Sequence, residues 1–234
     1  MFPFPCIGKF WFLEQGLSRH PDYNEVLTTL MASSTPPPKF LDIGTCLGQD
    51  LRTLASAGVP ADRLFGADIF PEFERIGHML FRDDDRFPPS QFICGNLLSD
   101  DAQDKLCETR GSWSIVHLSM FLHLFGLEDQ ERACVKVLEL LRGPGTFVLG
   151  TQTGSMDAGS LVLGPPYDGN VVYRHSRETM VAMWEKAAKV CGKDVKIHVQ
   201  YDEGEGRVDR WRKEGRLFSG PRDIAMFFRV DWVD

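Results

Sequence analysis

The segment KFLDIGTCLG, residues 39–48, combines residue types that can hold a charged small molecule. Asp42 stands near the end of a short apolar run, and glycines follow at positions 44 and 48. Glycine lets the backbone turn sharply and approach a ligand closely, and a carboxylate attracts a cation. The segment therefore predicts a loop at a strand end that binds a small molecule carrying a positive charge.

The spacing within this loop argues against two common nucleotide-binding signatures. The dinucleotide fingerprint Gly-x-Gly-x-x-Gly is not met, because Cys46 occupies its second glycine position. A Walker loop has Lys and then Ser or Thr after its last glycine, whereas Gln49 follows Gly48. NAD, FAD and a Walker-type phosphate ligand are therefore disfavoured.

Two further polar residues stand at the ends of later apolar runs. Asp68 ends the second run, 24 residues after Gly44, where a doubly wound nucleotide site places an acid that accepts hydrogen bonds from ribose hydroxyls. Asn96 follows the third run. The alternative interpretations are a helix N-cap for Asp68 and an ordinary turn residue for Asn96.

Strand-like and helix-like segments alternate along the chain, which determines how these residues are positioned. Apolar runs bounded by turn residues predict strands over 39–43, 63–69, 90–96, 113–119, 145–152, 194–200 and 223–232. Helical spacing of apolar residues predicts helices over 24–33, 47–58, 71–83, 126–145 and 176–190, with a more polar helix over 100–110. The glycine-rich segment 153–170 is predicted to be a loop.

This alternation predicts an α/β fold with a doubly wound, Rossmann-like, seven-stranded and mainly parallel sheet, covered by helices on both faces. The last two strands have no clear helix between them, so we expect an antiparallel hairpin at one edge. Ligands of such sheets bind beyond the carboxyl ends of the strands. The loop 44–48 is therefore the expected site.

Composition limits the classes of partner. The chain has 234 residues and a net charge of −7, and its Lys and Arg residues form no basic stripe, so we expect no nucleic-acid partner. Prolines and charges interrupt the aromatic start well short of a membrane span, and it lacks the layout of a signal peptide. We expect no membrane insertion and a cytoplasmic location.

The length and the cysteine spacing suggest a simple organisation. We expect an N-terminal helical and aromatic segment, residues 1–38, packing on a core domain of residues 39–234. The six cysteines show no Cys-x-x-Cys pair and no zinc spacing with histidine. We therefore expect no metal site and reduced cysteines that lie mostly in the core.

The turn Asp-x-Gly-x-x-x-Gly resembles motif I of the class I S-adenosylmethionine-dependent methyltransferases, except that Cys46 replaces that family's second glycine. The runs FPFPCIGKFWFLEQGLSRHPDYNEVL, FLDIGTCLGQDLRTLASAG, SIVHLSMFLHLFGLEDQ and YRHSRETMVAMWEKA resemble more closely a fungal family of small-molecule methyltransferases. Its members act in meroterpenoid pathways and methylate the carboxyl group of a farnesylated aromatic acid derived from dimethylorsellinate. The resemblance covers nearly the whole chain.

The resemblance implies S-adenosylmethionine as cofactor and suggests which residues bind it. Asp42, Gly44, Thr45 and Gly48 would form the methionine-end loop, Asp68 and Ile69 would meet the ribose, and Asn96 and Leu97 would lie at the adenine end. Members of that family carry a helical extension ahead of the Phe-Pro-x-Pro-Cys segment that packs over the active site. The present sequence starts at Met1, just before that segment, so the resemblance leaves closure over the substrate open.

The chemistry of methyl transfer selects the candidate catalytic residues. A carboxylate acceptor is already ionised at pH 7, so it needs alignment and desolvation and no general base. His123, Gln152 and Arg174 follow or precede predicted strand ends and are the candidates to hold the acid. A phenol acceptor, with a pKa of ~10, would instead need His123 or His117 as base. His117 lies inside a strand and is expected to be a core residue.

The expected partner is a small-molecule acceptor, an apolar prenylated aromatic acid. Phe2, Phe4, Phe10, Trp11 and Phe12 would line its pocket, or would form a separate exposed cluster that favours a homodimer. Two other function classes stay open. One is a methyltransferase fold that catalyses a cyclisation or rearrangement without methyl transfer, and the other is a non-catalytic partner of a pathway enzyme.

Overall fold

The computed structural model describes residues 5–8, 10–14, 16–88, 91–164, 169–202, 213 and 222–234. Its α-helices within these ranges are α1 (Pro5–Gly8), α2 (Tyr23–Met31), α3 (Gln49–Ser56), α4 (Glu72–Phe81), α5 (Leu127–Leu140) and α6 (Arg177–Cys191). Its strands are β1 (Phe40–Ile43), β2 (Leu64–Asp68), β3 (Phe92–Cys94), β4 (Ile115–Ser119), β5 (Phe147–Ser155), β6 (Gly159–Val162), β7 (Val171–Arg174), β8 (Val195–Tyr201) and β9 (Asp223–Trp232).

Seven of the strands form one sheet in the order β3-β2-β1-β4-β5-β9-β8. Strands β1 to β5 are parallel, and β9 runs antiparallel to both β5 and β8. The predicted α/β class, the mainly parallel sheet and the antiparallel edge pair are therefore confirmed. Strand order reverses between β1 and β4, which is the switch point where such sheets bind ligands.

The polar segment 100–110 corrects one prediction, because it forms no α-helix. Its regular structure is a single 3-10 turn, Cys107–Thr109. Side chains take the backbone N–H groups that a helix would use: Ser99 accepts from Asp101, Asp101 from Gln103, and Asp104 from Leu106. Ser and Asp side chains compete with helical hydrogen bonds in this way.

The prediction of a loop over 153–170 was wrong for residues 153–155 and 159–162, which lie in strands. Strand β5 continues to Ser155, and β6 and β7 pair as an antiparallel two-stranded sheet. Leu163 and Val172 are buried beside this small sheet, so spaced apolar residues within the glycine-rich sequence stabilise a hairpin. Residues 165–168 lie outside the described ranges.

Two apolar clusters cover the two faces of the large sheet. Val116 faces the cluster that contains α5 and α6, whereas its neighbour Ile115 faces the cluster that contains α2 and α3, as alternation along a strand requires. Leu17 and Leu30 belong to the second cluster together with Phe40. Residues on both sides of the predicted boundary at 38/39 thus share a core, and that boundary stays a prediction.

The aromatic N-terminal segment reaches the loop that follows β1. Phe12 is buried and clusters with Leu47 and Phe73, and Ile7 packs against them. Phe10 is exposed, and Phe2 and Phe4 lie outside the described residues. None of the helices in the described ranges is both long enough and apolar enough to cross a membrane.

The cysteines lie nearer the surface than predicted. No disulfide joins the five described cysteines, and of these five Cys134 alone is buried, while Cys94 is exposed. The expectation that they lie mostly in the core was wrong. Cys46, Cys107 and Cys191 are half-buried. Cys46 lies in the loop after β1, Cys107 begins a 3-10 turn and Cys191 ends α6, so none of them lies in the middle of a core element.

Asp42 of β1, His117 of β4 and Asp50 of α3 form a buried polar cluster in which their side-chain polar atoms lie within 4.8 Å of one another. Asp42 accepts a hydrogen bond from His117 Nδ1 at 2.8 Å, and Asp50 accepts one from the Leu17 N–H at 3.1 Å. Burial lowers the pKa of His117, but Asp42 and Asp50 more than offset this effect and its net pKa is raised. His117 is fully buried, as the sequence predicts.

The electrostatics of Asp50 make stability depend on pH. Burial raises the pKa of its carboxyl to about 6 from the ordinary 3.8, so the folded state retains a proton that the unfolded chain loses. As pH rises from 4 to 6, the free energy of unfolding of the wild-type protein should therefore fall relative to the free energy of unfolding of the Asp50→Asn variant. We expect a change of roughly 1 to 3 kcal/mol, measured by urea unfolding.

The exposed Asp194 provides a matched control. The variant Asp194→Asn should follow the wild-type pH profile. A constant free-energy difference between wild type and Asp50→Asn over this range would contradict the assignment of the retained proton to Asp50.

Candidate functional site

The loop 44–48 connects β1 to α3 through three residues in the left-handed region. Gly44, Cys46 and Gly48 have φ values of 70°, 51° and 71°. The N–H groups of Gly44 and Thr45 donate to the carbonyl of Ala67 at 2.8 and 3.1 Å. The loop thus curls over the end of β2, and α3 starts directly after it.

Gly44 is required by its surroundings as well as by its φ. A Cβ atom there would lie 2.6 Å from the ring of Phe121, the second residue after β4. The backbone of the loop and an aromatic ring therefore meet at the switch point. The close approach seen here is to a protein side chain, and the contact of Gly44 with a cofactor stays a prediction.

Cys46 adopts a conformation that favours glycine, which strains a residue with a Cβ by roughly 1 to 2 kcal/mol. Two contacts offset that strain. Its N–H donates to the Asp68 carboxylate at 3.0 Å, and its side chain packs against the cluster of Phe12, Leu47 and Phe73. The loop therefore keeps a glycine-like turn without the glycine.

Asp68 stands at the carboxyl end of β2 and accepts hydrogen bonds from the N–H groups of Cys46 and Phe70, at 3.0 and 3.1 Å. Burial raises the pKa of its carboxyl, and these two hydrogen bonds oppose the rise. Pro71 holds the N-cap position of α4, so Asp68 is not that helix's cap. Carboxylate oxygens accept more than one hydrogen bond, which leaves capacity for ligand hydroxyls.

The predicted adenine end follows β3 and lies beside Asp68, whose carbonyl accepts from the Gly95 N–H at 3.1 Å. Ile69 and Asn96 are exposed at this edge. The Asn96 side-chain oxygen accepts from the Leu98 N–H at 3.0 Å, as in an ordinary turn. Leu97 is buried in the main core cluster.

Two predicted loop residues lie beneath the loop, with their side chains directed away from its surface. Asp42 is buried and its carboxylate binds His117. Thr45 is buried too, with its side chain against Gly66 of β2. The structure thus gives these two residues a supporting position, while Gly44 and Gly48 shape the backbone above them.

On the β4 side, His123 and Arg174 are brought together. His123 lies in the 3-10 turn Leu122–Leu124, and its carbonyl accepts from Arg174 Nη1 at 2.8 Å. Both side chains are buried. Burial and then the charge of Arg174 lower the pKa of His123 well below 6.5, so its imidazole is neutral at pH 7.

Gln152 lies on β5 and its amide faces Met180 of α6. The side chain is 1% exposed, and its Oε1 has no hydrogen-bond partner among the described residues. The Nδ1 atom of His123 is also buried and has no hydrogen-bond partner among the described residues. Buried polar atoms without partners are uncommon, and these two lie at the β4–β5 end of the site.

Sequence reasoning missed Arg52 and its partner Asp83. Arg52 donates to the carbonyls of Leu47 and Gly48, and its other nitrogens bind the Asp83 carboxylate. The available signal was a charged residue four positions after Gly48, next to the buried Leu51 in the same helix. The acids at 83–85 follow the next helix and supply a candidate counter-charge.

A cavity of about 700 Å³ lies elsewhere, between α2 and the β8–β9 pair. His20, Glu25, His198 and Arg229 are among its lining residues. None of the predicted site residues lines it. The candidate site is therefore identified by the switch point of the sheet and by the contacts of the loop 44–48.

The chain is similar to several fungal proteins. It is 32% identical over 217 residues to the O-methyltransferase atr3 of Stereocaulon alpinum, covering 92% of this chain and 61% of that protein. It is 35% identical over 202 residues to the methyltransferase ausD of Penicillium brasilianum, covering 86% and 69%. The chain thus spans about two thirds of the length of these relatives. No protein-family model matches the chain.

Solved structures share the fold. The O-methyltransferase of a Brevibacillus brevis polyketide synthase, in complex with S-adenosyl-L-homocysteine, matches with a TM-score of 0.61 and 11% identity, over 98% of this chain and 76% of that one. Phosphoethanolamine N-methyltransferase 2 of Haemonchus contortus, in complex with S-adenosyl-L-methionine, matches with a TM-score of 0.59 and 15% identity, over 97% and 56%.

Asp68 should matter for ligand affinity. Asp68→Ala removes the carboxylate that the sequence predicts to accept from ribose hydroxyls, and with it the acceptor of the Cys46 N–H. We expect it to weaken binding of S-adenosylhomocysteine by about 1 to 3 kcal/mol, measured by calorimetry. The exposed Asp62, ahead of β2, gives a matched control in Asp62→Ala, and equal affinity of both variants would remove Asp68 from the site.

The conformation of Cys46 yields a second prediction. Cys46→Gly removes the left-handed strain and keeps the N–H donor to Asp68, so it should bind S-adenosylhomocysteine within about twofold of wild type. Cys46→Val places a β-branched residue at the same φ and should bind more weakly. A larger loss in the glycine variant would show that the thiol itself is needed.

Proposed function

Because the chain belongs to a family of fungal methyltransferases, we propose that it transfers a methyl group from S-adenosylmethionine to an oxygen of a small-molecule acceptor. The observation that carries this proposal is the loop 44–48 held against Asp68 at the switch point. Its relatives include the O-methyltransferases atr3 and phiE. Acceptor, activity and partners are proposals for this chain.

The residues present fit the cofactor. Gly44 and Gly48 let the backbone approach its methionine end, Asp68 would accept from the ribose hydroxyls, and the exposed Ile69 and Asn96 would border the adenine. Asp42 would act through the loop that it supports.

Bound S-adenosylmethionine would supply an electrophilic methyl carbon on a sulfonium, which an acceptor oxygen attacks in line. For a carboxylate acceptor the protein removes no proton, because the nucleophile is already ionised. Its work is alignment and exclusion of water. His123, neutral and buried, can hydrogen-bond an acceptor, and Arg174 behind it supplies positive charge.

We further propose that the acceptor is an apolar prenylated aromatic acid, methylated on its carboxyl group. Exposed apolar side chains near His123 support this choice: Met120, Leu124 and Leu127 follow β4. The β6–β7 hairpin adds the exposed Val162 and Val171. The carbonyl of Val171 lies 3.4 Å from the Cβ position at Gly126, so hairpin and turn adjoin.

One relative has a name that states its substrates. An asnovolin E/chermesin D methyltransferase of Aspergillus novofumigatus is 37% identical over 161 residues, covering 69% of this chain and 53% of that protein. The name describes that protein. For this chain it supports a small-molecule acceptor.

The proposal is tested by incubating the purified protein with S-adenosylmethionine and three acceptors: a farnesylated aromatic acid, its methyl ester, and the matching phenol without the acid. Mass spectrometry follows both the acceptor and S-adenosylhomocysteine. Methyl ester formed from the free acid alone supports the proposal. Conversion without S-adenosylhomocysteine would indicate a cyclase, and no conversion of any acceptor would favour a non-catalytic partner.

His123 should act on the acceptor side. His123→Ala should lower the methylation rate roughly 10- to 100-fold through lost alignment, with unchanged affinity for S-adenosylhomocysteine. The exposed His198 on β8 provides the control variant His198→Ala, which should retain the wild-type rate. A wild-type rate in His123→Ala would leave His123 as a packing residue.

A further inference from the structure

We propose that Arg52 is a positioning residue for the cofactor, because its guanidinium fixes the backbone of the loop 44–48 in its binding shape before the ligand arrives. This inference rests on the proposed function in taking that loop as the cofactor site. Arg52 itself is buried under the loop and acts through backbone atoms. Its role would therefore be to reduce the ordering cost of binding.

The contacts of Arg52 reach the end of the loop. Its Nη1 donates to the carbonyl of Leu47 at 2.7 Å and to that of Gly48 at 3.1 Å. A Cβ atom at Gly48 would lie 2.5 Å from the same nitrogen. The guanidinium thus occupies the space that a side chain at position 48 would need, and it orients two successive peptide groups.

The guanidinium is itself held on its other side. Nε and Nη2 donate to the two carboxylate oxygens of Asp83 at 2.6 and 2.8 Å, which is the bidentate geometry that favours arginine over lysine. His78 Nδ1 lies 3.1 Å from Asp83 Oδ1. The rings of Phe81 and Phe87 lie 4.4 and 5.5 Å from the guanidinium.

These contacts connect three elements around one charge pair. Arg52 comes from α3, Asp83 follows α4, and the accepting carbonyls belong to the loop. Gly77 of α4 adds a second close approach, because a Cβ there would lie 2.6 Å from the Leu47 carbonyl oxygen. Helix α4 and Arg52 therefore hold Leu47 from two directions, and the loop has little freedom to relax.

A buried ion pair is weak evidence for stability alone, since apolar replacements are often neutral. The specific feature here is that the pair holds loop carbonyls. If Arg52 has a purely structural role, its substitution lowers the unfolding temperature and leaves ligand affinity unchanged. If Arg52 positions the loop, its substitution weakens ligand binding and speeds hydrogen exchange of the loop amides. These readouts separate the two roles.

The test uses Arg52→Met with Arg63→Met as matched control. Arg63 also donates through Nη1 to two carbonyls, those of Leu30 and Ala32, but away from the loop. We expect Arg52→Met to bind S-adenosylhomocysteine at least about tenfold more weakly, measured by calorimetry well below its unfolding temperature. Arg63→Met should bind within twofold of wild type.

Two further measurements keep the inference falsifiable. If Arg52→Met does not fold, the double variant Arg52→Met/Asp83→Leu replaces the whole pair with apolar side chains and should show the same loss of affinity. In the ligand-free protein, amide exchange at residues 47–50 should be faster in the Arg52 variant and unchanged in the Arg63 variant.

Wild-type affinity in a folded Arg52 variant, or unchanged exchange at residues 47–50, would overturn the inference. Failure of the wild-type protein to bind S-adenosylhomocysteine would instead contradict the proposed function. In that event the exchange experiment still decides whether Arg52 fixes the loop.

Discussion

The structure of the site depends on one constraint, a loop of five residues in which three adopt left-handed backbone angles. Such a turn is unfavourable by itself, and it persists because neighbours on every side fix it. Ala67 accepts from two of its N–H groups, Asp68 holds the third, and Arg52 holds its carbonyls. The sheet supplies Ala67 and Asp68 by placing β2 beside β1, and α3 supplies Arg52.

Polar residues of this protein divide into those that shape the site from below and those that border it. Asp42, His117 and Asp50 form a buried cluster under β1, where hydrogen bonds compensate the cost of burying charge. Asp68 alone among the predicted acids stands at the edge. A carboxylate next to a glycine-rich turn is therefore not necessarily a ligand contact.

The sequence was sufficient where one physical rule dominated. Apolar runs bounded by turn residues predicted the seven strands of the sheet, and the second run predicted Asp68 at the carboxyl end of β2. It was insufficient where side chains competed with the backbone, as Ser99 and Asp104 do in 100–110. It also missed the pair of Arg52 and Asp83, because the two residues are 31 positions apart and nothing local in the sequence indicates that they pair.

The packing of Cys46 has a consequence for the N-terminal segment. Its side chain and that of Ile7 pack against one cluster, so the segment and the loop share part of their packing surface. Two events that depend on the same surface are linked, and their coupling is reciprocal. If docking of the segment raises the affinity of the loop for a ligand, that ligand favours docking of the segment by the same factor.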